Sequence, residues 1–272
     1  MKKRMYAIRL AVFALLVATA LAGWQLSRPK TIPLSRPGFA LSFDDRTVHE
    51  WYQLRDLFQR YNAKATFYVT QSDQLASDEI NKLRHLQKYG CEIGSHGFRH
   101  VDATEFLKTN SPDAYMKHEI HPSVEHLNEL GFQVRTFAYP YGANHESVEP
   151  HLEQHFVLTR DIYALRHTLF GLHLDEPITM ADAIYCDGQP KKRVRALTID
   201  NESGVTKHHI TQALHRARKK GEIVLFYGHK PEFEGDNTHP LGTDVELIEH
   251  LFKTAQELGL QSYTMNEVAE RD

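Results

Sequence analysis

The sequence predicts an α/β fold: a closed (β/α) barrel of seven or eight strands in a single domain. The first observation is a recurring strand signal. Apolar, β-branched or aromatic runs appear at 39–43, 65–69, 91–95, 134–139, 156–159, 194–199, 223–227 and 260–264. The second is helical spacing between most of these runs. Trp51, Leu54, Leu57, Phe58 and Tyr61 form one stripe, and Ile80, Leu83, Leu86 and Tyr89 a second. Ile120, Val124, Leu127 and Leu130 form a third, and Leu247, Ile248, Leu251 and Ala255 a fourth. The third is punctuation: Gly90, Gly131, Gly221 and Gly259 each fall just after a helical stretch, where a left-handed cap is wanted. Strand–helix alternation implies parallel strands with helices outside. No Gly-x-Gly-x-x-Gly follows the first strand, which counts against a dinucleotide fold.

The chain of 272 residues suits such a barrel, with a formal net charge of −3 that excludes the strong basic excess of a nucleic-acid binder. Its 18 histidines supply ample ligands, but a metal site needs only two or three. Cys91 and Cys186 form no Cys-x-x-Cys pattern, which removes thiolate zinc modules and thioredoxin chemistry, and the expectation is two unpaired thiols.

The N-terminus reads as an export signal. Lys2, Lys3 and Arg4 precede an apolar run from Leu10 to Trp24, and Pro29, Pro33 and Pro37 mark a linker behind it. Residues 1–24 are expected to be a signal peptide or a membrane anchor, the attachment running through residues 5–24. Residues 25–37 are expected to be the linker and 38–272 the single folded domain.

In a parallel barrel the chemistry sits where strands end. Asp44 and Asp45 end the first strand; such a pair repels unless a cation is near, though either could equally cap the next helix. His96 and His100 follow the third strand four residues apart, a spacing that suits a divalent metal. Gly97 between them argues for a loop-like first turn. One aspartate and two histidines make an open site with room for water and substrate. Tyr139-Pro140-Tyr141-Gly142 ends the fourth strand in a sharp turn, which can aim a backbone N–H at a developing oxyanion. His229 ends the late strand and is a natural acid or base.

In order, these pieces resemble the polysaccharide deacetylase family with the NodB-homology domain. Leu41–Asp45, Ser95–His100, Phe137–Gly142 and Leu225–His229 resemble its motifs, over roughly Gly38 to Glu267. The Phe-Ala-Tyr-Pro-Tyr-Gly wording resembles the branch that deacetylates poly-N-acetylglucosamine. The resemblance implies a distorted barrel holding one divalent metal, commonly zinc, on Asp45, His96 and His100. It implies Asp44 as general base, His229 as general acid and the Tyr141 N–H as oxyanion donor, acting on an N-acetylated glycan. Two departures stand out. Arg46 replaces a glycine at the mouth beside Tyr139, a groove candidate; its side chain either points outward as a plain surface residue, or reaches into the groove to contact substrate or pair with Asp44. Ala138 replaces an arginine that orients the base, and Arg160, at the end of the fifth strand, is the candidate replacement and a groove residue. The family's acidic-Arg-x-Trp segment has no clear match. The competing readings are another metal-dependent hydrolase on this scaffold and a non-catalytic carbohydrate-binding barrel.

Overall fold

A computed structural model describes residues 36–169, 172–189, 191–233 and 239–270. The expected signal or anchor at 1–24, and the linker up to residue 35, lie outside them. No helix among the described residues is long and apolar enough to cross a membrane.

Seven parallel strands close the barrel: β1 Gly38–Asp45, β2 Thr66–Val69, β3 Glu92–Ser95, β4 Thr136–Ala138, β5 Leu158–Tyr163, β6 Arg193–Thr198 and β7 Ile223–Gly228. Closure comes from β1 pairing with both β2 and β7, Phe39 lying opposite Val224 and Asp44 opposite Tyr68. The eighth predicted run, observed at Gln261–Tyr263, pairs only with the start of β1 (Gly38–Ala40), on the edge that β2 takes from Ser42 onward, and adds no eighth strand to the ring. The barrel is irregular: β3 and β4 meet at a single register pair, Ser95 with Phe137, and the short strand Tyr185–Cys186 runs antiparallel to β7. A hairpin, Arg166–Leu169 with Leu172–Asp175, is inserted between β5 and β6.

Side-chain alternation along β1 divides the molecule into two cores. Phe39, Leu41 and Phe43 pack outward with Trp51, Phe58 and Phe67 against the helices. Ala40 packs inward with Tyr68, Ala138, Leu225 and Tyr227. The same alternation puts Ser42 and Asp44 on the inner face. Small inner residues make room for large ones. Gly94 lies beside Tyr68 in register, and a Cβ on it would come 2.6 Å from the Tyr68 ring. Met265 and Val268, on the last helix Met265–Ala269, fill the end of the barrel where the strands begin, the Met265 N–H donating to Thr66 Oγ1 at 2.8 Å.

The helical stripe from Trp51 to Tyr61 is two helices, Val48–Gln53 and Arg55–Tyr61, joined at Leu54. The stretch from Ile120 to Leu130 begins as a π-helix, Met116–Ile120, before the α-helix His121–Glu129. Helix Lys207–Lys220 carries a weak stripe (Ile210, Ala213, Leu214, Ala217) that its many basic residues obscure in the sequence. Gly90, Gly131, Gly221 and Gly259 all take positive φ. Cys91 and Cys186 are both buried, and no disulfide joins them.

Candidate metal centre and active site

The site is built at the C-terminal ends of the strands. Asp44, 2% exposed, points inward, and its carboxylate accepts hydrogen bonds at both oxygens from Arg160 Nη2. Arg160 stands on β5 directly beside Ala138 on β4, so a small side chain at 138 lies next to the long one that reaches Asp44. The guanidinium lies 4.6 Å from the Tyr227 ring and 5.4 Å from the Tyr68 ring. Burial disfavours its charge, but Asp44 and the two tyrosines more than compensate and hold it protonated. Arg160 is 0% exposed, which corrects its placement in the substrate groove: it touches the aspartate and not the solvent-facing surface.

At Asp45 the backbone turns out of the strand with φ 80, and this carboxylate faces the mouth. Its Oδ1 lies 3.2 Å from His100 Nε2 and 3.7 Å from His96 Nε2, and the two Nε2 atoms are 3.2 Å apart. Bonds of about 2.0–2.2 Å to a tetrahedral ion separate ligand atoms by roughly 3.3 Å, so these three donors fit one divalent metal. His96 Nδ1 donates to the Ala138 carbonyl at 2.8 Å, which leaves the Nε2 lone pair facing the other donors. Burial pushes His96 down to about 4, with the Asp44 carboxylate opposing, so the ring is neutral as a ligand must be. Burial works against the Asp45 charge, yet the hydrogen bond from His100 and the charges of His96 and His229 bring its carboxyl down to about 2. Asp45, His96 and His100 form a compact group of metal-capable side chains, their ligand atoms all within 4.8 Å of one another.

His229 follows β7. Its Nδ1 lies 2.6 Å from Asp200 Oδ2, and its backbone N–H donates to Asp200 Oδ1 at 3.0 Å. Thr243 Oγ1 donates to the same Asp200 oxygen at 2.6 Å. Burial alone would lower the imidazole's pKa; the Asp200 hydrogen bond and the charges of Asp44, Asp200 and Asp45 raise it to about 9. Asp200 was not picked out from the sequence. The available signal was its position, one residue past the strand run 194–199.

The Pro140–Gly142 turn is a 3-10 segment in which Tyr141 takes φ 58 and Gly142 φ 64. A Cβ on Gly142 would come 2.4 Å from Ile162, so this position requires glycine for space as well as conformation. The turn's own hydrogen bonds use the Gly142 and Ala143 amides. The Tyr141 ring is exposed and its centroid lies 4.5 Å from that of His100, which puts the turn beside the three donors. Tyr139 is corrected: expected in the groove, it is 0% exposed and donates its hydroxyl to Glu149 Oε1 at 2.8 Å. Arg46 is half-buried and donates to Gln74 Oε1 at 3.2 Å. It does not pair with Asp44, whose partner is Arg160.

Comparison with known proteins finds a family match to part of the chain and a likeness of fold. The family model for polysaccharide deacetylase matches residues 32–157. A bifunctional xylanase/deacetylase of Pseudobutyrivibrio xylanivorans is 27% identical over 119 residues, 43% of this chain and 19% of that protein. The chain spans less than a fifth of the length of the curated relatives it matches, 19% and 4%. Among solved structures, a peptidoglycan N-acetylglucosamine deacetylase superposes with TM-score 0.55 at 19% identity, covering 88% of this chain and 91% of that one. The catalytic domain of the peptidoglycan N-acetylglucosamine deacetylase from Eubacterium rectale gives TM-score 0.53 at 14% identity, covering 91% and 97%. Likeness at these identities extends to the fold. The stretch that is similar to the polysaccharide deacetylase family, residues 32–157, holds the two aspartates, the two histidines and the Pro140 turn.

Proposed function

We propose that the protein is a metal-dependent hydrolase that removes N-acetyl groups from a polysaccharide or oligosaccharide of amino sugars. The observation that carries this reading is a pair of oppositely poised groups beside one three-donor cluster. Asp44 is held by a buried arginine, and His229 is held by a buried aspartate. A divalent ion on Asp45, His96 and His100, commonly zinc, would polarise the acetyl carbonyl and make an adjacent water more acidic. Asp44 takes the proton of the attacking water, whose oxygen bonds to the acetyl carbon. The Tyr141 N–H is the donor assigned to the developing oxyanion. His229, charged at neutral pH, gives a proton to the leaving nitrogen as the C–N bond breaks. The products are acetate and a free amino sugar.

The relatives' names support an acetylated glycan, and the Phe137–Gly142 wording supports N-acetylglucosamine polymers over acetylated xylan. The basic start, apolar run and Pro-rich spacer support export of the domain to the cell envelope or beyond it. The test is acetate release from a panel of chitin, poly-N-acetylglucosamine, peptidoglycan and acetylxylan fragments. Release from an N-acetylated member is expected. Release from acetylxylan alone would make the enzyme an O-deacetylase, and release from none would favour a carbohydrate-binding barrel.

A further inference from the structure

Pro122 interrupts one continuous helical run. It has no N–H, and in a regular helix its ring would collide with the carbonyl of His118. The chain answers with the wider π turn Met116–Ile120, closed by the His121 N–H on the Met116 carbonyl, five residues back. Glu119 lies in that turn, and its carboxyl group is fully buried. What it faces is the loop between the two histidines of the three-donor cluster.

The Arg99 N–H donates to both Glu119 carboxylate oxygens, at 3.1 and 3.0 Å, and the Val101 N–H donates to Oε2 at 3.3 Å. The Phe98 N–H donates to the Glu119 backbone carbonyl at 3.0 Å. Residues 99 and 101 flank His100, which is held in the left-handed region at φ 62, uncommon for a residue with a side chain. Gly97, at φ 77, passes so close that a Cβ there would come 2.6 Å from Glu119 Oε2. The glycine between the histidines is therefore explained by the carboxylate beneath it. His118 Nδ1, 3.0 Å from Oε1, completes the surroundings of the group.

We infer that Glu119 is a positioning residue for the metal centre: its carboxylate presets the backbone of the Phe98–Val101 loop so that His100 Nε2 meets His96 and Asp45 before any ion arrives. This rests on the metal reading of that cluster. The amides are fixed by an acceptor on a different element, so their order does not need the ion. Glu119→Gln keeps the shape but turns an NH₂ toward the loop amides. Removing a group that orients a ligand typically weakens metal affinity about 10- to 100-fold.

The experiment measures zinc affinity by chelator competition, with the thermal midpoint of the metal-free protein recorded in parallel, for the parent and Glu119→Gln. Weakening of zinc binding by about 10- to 100-fold in a folded variant is expected. A folded variant with a lowered midpoint and parent-like zinc affinity would overturn the inference, because the group would then be structural only. Should the variant not fold, hydrogen exchange in the metal-free parent decides. Slow exchange at the Arg99 and Val101 amides supports presetting, and fast exchange that slows only on adding zinc overturns it. A parent chain that binds no zinc would remove the metal reading itself, and this inference with it.

Discussion

Ala138 and Arg160 sit side by side on adjacent strands, and the arginine reaches past the alanine to close a buried ion pair with Asp44. The cation that orients the base has one strand's width of freedom in where it is rooted, provided the neighbouring position is small. Arg160→Met should leave Asp44 buried without its partner, a change that costs about 3–5 kcal/mol in comparable pairs. Turnover should fall by about 10²-fold or more, as for an impaired general base. Adding Ala138→Arg to that variant should recover at least part of the loss, measured as kcat. Parent-like turnover in Arg160→Met would show that Asp44 needs no such partner.

Asp200 and His229 give a pH prediction. A general acid works only while protonated, so kcat should fall as pH rises through about 9, where His229 is held. Asp200→Asn removes the hydrogen bond to a charged acceptor, the largest influence that opposes burial, and with it the Asp200 charge, while the charges of Asp44 and Asp45 remain. The alkaline limb should move down toward the ordinary histidine value of 6.5. A limb that stays in place in the pH–rate profile would show that another group donates the proton.

Arg46 should matter little. It bonds Gln74 at the rim and leaves Asp44 to Arg160, and its φ is not positive, so a glycine there is conformationally permitted. Arg46→Gly is expected to overlay the parent in its pH–rate profile and KM, with a stability loss of at most about 1 kcal/mol. A raised KM would place the guanidinium on substrate after all.

How much of this was legible in the sequence depends on the range of the interaction. The eight strand runs were readable because each is a local apolar signal bounded by turns. Asp44, Asp45, His96, His100 and His229 stood out because each falls at the end of such a run. Arg160 was readable only as a residue at a strand end; its burial and its contact with Asp44 depend on which strands are neighbours and on the small residues beside it. Tyr139 was misread because alternation along a three-residue strand is too short to assign a face. Asp200 escaped because its link to His229 is made across two adjacent strands, 29 residues apart in sequence. Glu119 escaped because a proline-induced π turn, and not a regular helical face, aims it.

The central claim is that hydrolysis depends on one metal ion held by Asp45, His96 and His100. The most direct measurement is acetate release from N-acetylglucosamine oligomers by chelator-stripped protein during a zinc titration, with metal content followed in His96→Ala and His100→Ala. The account predicts negligible release from stripped protein, recovery that saturates at about one ion per chain for a site of this kind, and loss of both metal and activity in each variant. Full activity in stripped protein, or full metal occupancy in both variants, would contradict it.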